Sequence, residues 1–598
     1  MKKTSLYTNL VKGTVLGLAL LLGSCSAFDD FLTVYPTDQI TSEQFWEDKE
    51  ELTSVLASCY TQFISSTVMN RILIWGECRS DNFVLYSTDD DLLNIMNANL
   101  LPTNDWFDWA GFYTGIFYCN LVIAKGDEML ESGIDASFSE SEWLPMKTEC
   151  RALRALYYFY LIRAYRDVPL VTVANETSEG ATDPVPQTSM QEILTFLIDD
   201  LEDCKDDAMI DYGNDTYNRG RITKEAVYTL LADLYLWRAA KNSSTDSVAK
   251  YPGEAEADYQ RCIELCDVVL ASKLEEFDEE NEDHVGSTSS TSSYDEYPLY
   301  VCSSTGRVTD EAYNQVFGEK NSLESIFELQ YMGTSSNYNS TISTYYGGVS
   351  SGTVSPGYFT GSQIVQSQSS SSDPTDALYS ETDIRSVEAI MYRNSSSSTS
   401  STSYQIIKYI ATDITILDAS DVWQGSSSSD NVSYENRSAT YTDANWVVYR
   451  VSDVMLMKAE ALACISADGS SDLETAFDYA KAIYDRSNPL MESDDYWKFT
   501  NYNTASAVLS LVMRERHREF FAEGKRWFDL VRMALRDGNT TSMLSELVSK
   551  YTSGASAIRA KLATLNSLFN PVYDEEMDVN TALVQNPAWD TEDTITRN

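Results

Sequence analysis

The chain has 598 residues, with 91 Asp and Glu against 43 Lys and Arg, and a formal net charge of −48. A field of that sign repels nucleic acid and anionic lipid surfaces, so neither is expected as a partner, and a solvated acidic surface accounts for most of the charge. The length is enough to bury a large core, and by itself it would allow several domains.

Lys2, Lys3 and Lys12 precede the apolar run Val15–Leu22, and Gly23-Ser24-Cys25 follows. That order reads as an export signal, and the run is too short for the roughly 20 residues of a helical span. Leu22-Gly23-Ser24-Cys25 resembles the bacterial lipobox, whose cysteine is acylated and becomes the mature N-terminus. Cys25 is therefore the expected lipidation site, and the only contact with a membrane is expected through that lipid anchor. Residues 1–24 are read as the signal and 25–40 as an anchored N-terminal segment.

Helical patterning follows, over 41–276. Thr41 or Ser42 offers a cap for a first helix through Phe45 and Trp46. Trp109, Tyr113, Ile116, Phe117 and Asn120 recur at three and four, and a helix from Trp143 to Arg166 stops before Pro169. Small residues along 221–240, opposite Ile263, Cys266 and Leu270, suggest nested helical hairpins of the tetratricopeptide kind. The same logic returns in 446–598, pairing 449–464 with 473–486 and 505–521 with 526–536. The fold class is thus mainly α: a degenerate tetratricopeptide α-solenoid of about four hairpins. Nine cysteines remain after Cys25; no CxxC occurs, and most are read as small core residues, with one disulfide left open.

Between the helical blocks, 277–445 is a variable, loop-rich region rich in Ser and Tyr. It opens with an acidic run, 278–283, and carries serine tracts at 287–291, 369–372, 395–403 and 426–429. Such tracts build no core, and long loops often carry function.

Taken in order, several segments resemble the SusD/RagB family of nutrient-binding outer-membrane lipoproteins. These are Phe31-Leu32-Thr33-Val34-Tyr35-Pro36, Trp75-Gly76-Glu77-Cys78-Arg79-Ser80-Asp81-Asn82, Leu153–Phe159 with Asp167-Val168-Pro169-Leu170, and Gly220-Arg221-Ile222-Thr223. Tyr449–Leu456 with Lys458–Ala461, Arg514–Phe520 with Glu523–Leu530, and Gln585–Trp589 continue the series. In the serine-rich middle only Asp383-Ile384-Arg385 matches. The resemblance implies an outer-membrane location facing the cell exterior, a SusC-like TonB-dependent transporter as partner, and a role as its lid. The alternating charges of 514–526 are read first as structural ion pairs at i,i+3 and i,i+4.

No enzyme is expected. Only His284 and His517 exist, and no HExxH, P-loop or dinucleotide fingerprint occurs. Neither a cofactor nor a metal is expected, since the acidic stretches 278–283 and 468–474 lack EF-hand spacing. Sugar rings stack on aromatic faces, and the chain has 11 Trp and 38 Tyr. Trp75, Arg79, Asp81, Asn82, Asn104, Trp106, Tyr345, Tyr346 and Tyr358 are the candidate ligand-binding residues. Packing of Trp75 or Trp106 between helices is the competing reading. An oligosaccharide is the preferred ligand, a peptide held as in RagB-type proteins is the alternative, and surface glycoside hydrolysis is a remote third.

Overall fold

In the computed structural model the described residues are 45–176, 183–243, 254–283 and 293–590. The last range lacks 295–296, 305–307, 351–352, 370–376, 395–401, 418–430, 490, 492–496 and 552. Cys25 and the segments around it, the Thr41/Ser42 cap, His284 and most of the serine tracts lie outside these residues.

Helix α1 (Lys49–Phe63) opens on Asp48, which accepts from Glu50 N–H at 3.1 Å in a capping box with Glu51. Helix α2 (Ser66–Leu73) runs directly into a buried π turn, Ile74–Cys78. Gly76 is required there because a Cβ would come within 2.0 Å of the Gly524 carbonyl oxygen. After β1 (Phe83–Leu85) and α3 (Asp90–Met96) come the long helices α4 (Ala110–Ser132) and α5 (Glu140–Tyr165). They approach closely at Gly115, where a Cβ would meet the Tyr157 ring at 2.2 Å, and Tyr157 stacks on Phe63 of α1 at 3.6 Å.

The stack continues through α6 (Met190–Cys204), α7 (Lys224–Ser243) and α8 (Glu254–Asp283), each packed on the next. The acidic run 278–283, expected to open the loop region, instead completes α8, whose Phe277 is buried against Tyr300. Next in space is α9 (Val451–Ile465), followed by α10 (Ser471–Ser487) and α11 (Ala505–Glu519). Because α9 lies directly on α8, the intervening chain is an insertion into a continuous helical frame. One expected hairpin is corrected: α12 (Arg526–Asp537) packs mainly on α7, and side chains such as Arg516 with Asp529 tie it to α11. The frame is mainly helical, with tetratricopeptide-type hairpins.

The insertion shares one hydrophobic core with the frame. Strand β2 (Ser325–Leu329) pairs antiparallel with β4 (Trp446–Arg450), and between them in sequence β3 (Phe359–Gly361) pairs with β1. Tyr409 stacks on Trp446 at 5.2 Å, and Tyr345, Tyr346, Phe359 and Tyr379 are buried. All nine cysteines after Cys25 are free thiols, eight of them buried.

The charges of 514–526 pair across elements more than along their own helix. Glu519 meets Arg385, Arg450 and Arg486 at 2.9, 2.5 and 2.5 Å. Glu523 meets Lys408 and Arg450 at 2.7 and 2.9 Å, while Arg518 with Glu515 is the expected i,i+3 pair. Removing one member of such a buried network leaves an uncompensated charge, which costs about 3–5 kcal/mol.

Candidate functional site

Trp106 sits on the short 3-10 turn Asp105–Phe107. Asn104 caps that turn: its Oδ1 accepts from Trp106 N–H at 3.0 Å, and its Nδ2 donates to the Asp91 carbonyl at 3.3 Å. Asn104 is itself buried, so it positions the indole and presents nothing to solvent. From α2, Arg71 donates to the carbonyl of Asp105 at 2.8 Å and to the carboxylate of Asp108 at 3.1 Å. Its guanidinium lies 5.9 Å from the Trp106 ring centroid. The turn is therefore held from both ends.

Against this turn stands an aromatic group from the insertion. Tyr345 meets the Trp106 ring edge-on at 6.1 Å, lies 5.8 Å from Tyr358, and stacks on Phe359 at 5.6 Å. The β1–β3 register, Leu85 opposite Phe359, fixes this meeting. Tyr86 N–H donates to the Tyr358 carbonyl at 2.8 Å and carries the phenol of Tyr86, 55% exposed, to the same place. Trp106 and Tyr358 are half-buried, and Tyr345 beneath them is nearly closed off. Burial, and then the Asp89 carboxylate, push the Tyr345 phenol above its ordinary range, so the hydroxyl stays protonated. The arrangement offers ring faces and phenol hydroxyls on one surface, which is chemistry for stacking and hydrogen bonding.

The other sequence candidates lie inside the molecule, and the reading of them as ligand contacts is corrected. Trp75 is 2% exposed, stacks on Phe112 at 4.8 Å and donates through Nε1 to the Trp106 carbonyl at 2.9 Å. No sugar ring reaches it. Arg79 donates to the Leu568 carbonyl and Asn570 Oδ1, both at 2.9 Å, with its guanidinium 4.1 Å from the Trp527 ring. Asp81 accepts two bonds from Arg526, at 2.8 and 2.9 Å. Asn82 bridges Glu77, at 3.0 Å, and His517, whose Nε2 is 2.7 Å from Asn82 Oδ1. Tyr346 is fully buried and donates to the Ala522 carbonyl at 2.7 Å. Of the nine candidates, Trp106, Tyr345 and Tyr358 form one cluster that reaches the surface.

Arg71, Tyr86 and Asp89 were not legible in the sequence. Arg71 closes an ordinary helix, and Tyr86 and Asp89 belong to a short polar stretch without periodicity, so only the β1–β3 pairing brings them to the aromatics. His517 is a poor proton carrier. Burial, and then the neighbouring Arg526 charge, push its pKa down to about 3. Among the described residues, no group of three or more His, Cys, Asp or Glu side chains is placed to hold a metal ion.

Comparison with known proteins gives two family matches. Residues 323–589 match the SusD family, and residues 30–236 match a family described as starch-binding and associating with the outer membrane. A SusD-like protein, P38, from Formosa agariphila is 23% identical over 522 residues, covering 86% of this chain and 90% of that one. Another SusD-like protein, from Bacteroides ovatus, is 26% identical over 251 residues, 42% of each chain. Among solved structures, a SusD superfamily protein from Bacteroides vulgatus superposes with a TM-score of 0.62 at 18% identity, over 91% of this chain and 100% of its own. A laminarin-binding SusD-like protein superposes with a TM-score of 0.57 at 20% identity, over 90% of this chain and 99% of its own.

Proposed function

The chain belongs to the SusD/RagB family, and from that premise we propose that it captures oligosaccharide at the outer surface of an outer membrane through the aromatic group at Trp106. One observation carries the reading. Two chain regions more than 230 residues apart, the turn of Trp106 and the insertion with Tyr345 and Tyr358, are held together so that half-exposed ring faces and hydroxyls share one surface. Stacking ring faces beside hydroxyl partners suit a neutral sugar. The laminarin-binding protein of like fold and the starch-binding family description support glycan as the ligand class. The same description supports association with the outer membrane. Among the described residues no helix is long and apolar enough to cross a membrane; anchoring through an acylated Cys25 rests on the Leu22-Gly23-Ser24-Cys25 sequence. The captured glycan is handed to a SusC-like TonB-dependent transporter, over which the lipoprotein acts as a lid. The role is carriage without turnover.

Calorimetry on the mature protein with laminarihexaose and maltohexaose, beside unrelated oligopeptides, tests this. Trp106→Ala and Tyr358→Ala should each weaken glycan binding by on the order of thirtyfold with melting unchanged. Trp75→Ala should instead lower stability by about 3–5 kcal/mol, because it empties a core position. Tight peptide binding without glycan binding would move the ligand class to peptides. Shortened oligosaccharides after long incubation would make the protein a hydrolase.

A further inference from the structure

A second groove, of about 360 Å³, opens along the start of α4 and shares no residue with the Trp106 cluster. Its wall is Trp109, Tyr113 and Phe117, spaced by four and so on one helix face, with Glu576 opposite. Tyr113 is fixed by its hydroxyl, which donates to the Pro169 carbonyl at 2.7 Å, and Trp109 packs edge-on against it at 5.9 Å. Glu576 comes from the short helix α13 (Asp574–Val579) and is half-buried. Trp109 and Glu576 line the groove together.

Most buried carboxylates of the helical frame, Glu519, Glu523, Asp529 and Asp81 among them, face an Arg or Lys. Glu576 faces none among the described residues. Its charged neighbours are Asp108 and Glu575, and burial with those like charges pushes its pKa above the ordinary carboxylate range. A half-buried anion lacking a counter-ion, set among ring faces, suits a cation on two independent grounds: Coulomb attraction, and the negative faces of the rings.

We propose that this groove binds the ammonium group of an amino sugar, a 2-amino-2-deoxyhexose unit, with Glu576 as counter-ion and Tyr113 and Phe117 as the faces it lies against. The choice of an amino sugar over a lysine side chain rests on the glycan reading above, whereas the cation site does not. Continuity supports that choice. Trp106 and Trp109 are three residues apart, and Tyr573, next to α13, donates to the carboxylate of Asp105, the residue before Trp106, at 2.9 Å. The groove thus starts three residues from the Trp106 turn and is tied to it through Tyr573 and Asp105.

The test uses the full mature chain and the β-1,4-linked glucosamine disaccharide, with its N-acetylated, uncharged form as control and Nα-acetyl-lysine amide as a peptide surrogate. Calorimetry near neutral pH should show the free amine bound about tenfold or more tightly than the acetylated sugar. Glu576→Gln should abolish that preference, and Phe117→Ala should weaken binding of the free amine. Equal binding of the two sugars, or a preference that survives Glu576→Gln, overturns the proposal. So does a response to the lysine amide alone, which would place a basic peptide in the groove. If neutral oligosaccharides fail to bind while the amine preference holds, the glycan reading of the Trp106 cluster falls and the cation site stands.

Discussion

Glu77 lies fully inside the π turn and faces three donors without a cation: Asn82 Nδ2 at 3.0 Å, Ser80 Oγ at 3.1 Å and Gly524 N–H at 3.0 Å. Burial outweighs those bonds and raises its pKa from 4.5 to about 7. Between those values the folded chain holds a proton that the unfolded chain has released, so this group's contribution falls as pH rises across the interval, by about 3 kcal/mol. Glu77→Gln should remove that slope: relative to wild type, the variant gains stability as pH rises from 4.5 to 7 in urea melts, and parallel curves would refute it. Asp529 behaves oppositely. Burial pushes it up, but Arg516 and Arg532 prevail and hold it at about 2. Its contribution is present above about pH 4 and is lost as pH falls toward 2. At this scale the sequence misled. The segment 75–82 reads as a source of ligand contacts, yet its partners Arg526, His517 and Asn570 lie more than 400 residues away, and nothing local announces them.

Among elements, periodicity served well for the helices, because their buried stripes follow the 3.6-residue turn. The stop before Pro169 is a local signal that the structure keeps, with α5 ending at Tyr165. Periodicity failed at the end of α8, where five acidic residues in six, 278–283, looked like a solvated loop and continue the helix. In the insertion, the strands Ile390–Asn394 and Thr402–Ile406 pair antiparallel, Asn394 opposite Thr402, so the serine tract between them is the connection of a hairpin. Replacing 395–401 with a two-residue Asn-Gly turn keeps the pairing and suits its twist. The melting temperature should move by no more than a few degrees, as for surface changes within about 0.5 kcal/mol. Loss of cooperative unfolding in calorimetric scans would show that the tract supports the core.

For the whole molecule, anchoring and assembly are separable. Cys25→Ala should shift the protein from the membrane to the soluble fraction while the purified chain keeps its melting temperature and its glycan affinity. Palmitate label retained at wild-type level in the variant would refute the lipobox. The sequence by itself determined the helical class and the family, because hydrophobic period and ordered motifs are properties of neighbouring residues. Only the tertiary structure decided which aromatics face water. Trp75 and Trp106 carry the same side chain and similar polar neighbours, yet one closes against Phe112 while the other stands beside Tyr345. That difference comes from the pairing of β1 with β3 and from α4 packing on α5. These are contacts between distant segments, whose free energy depends on the whole core and is written in no single stretch of chain.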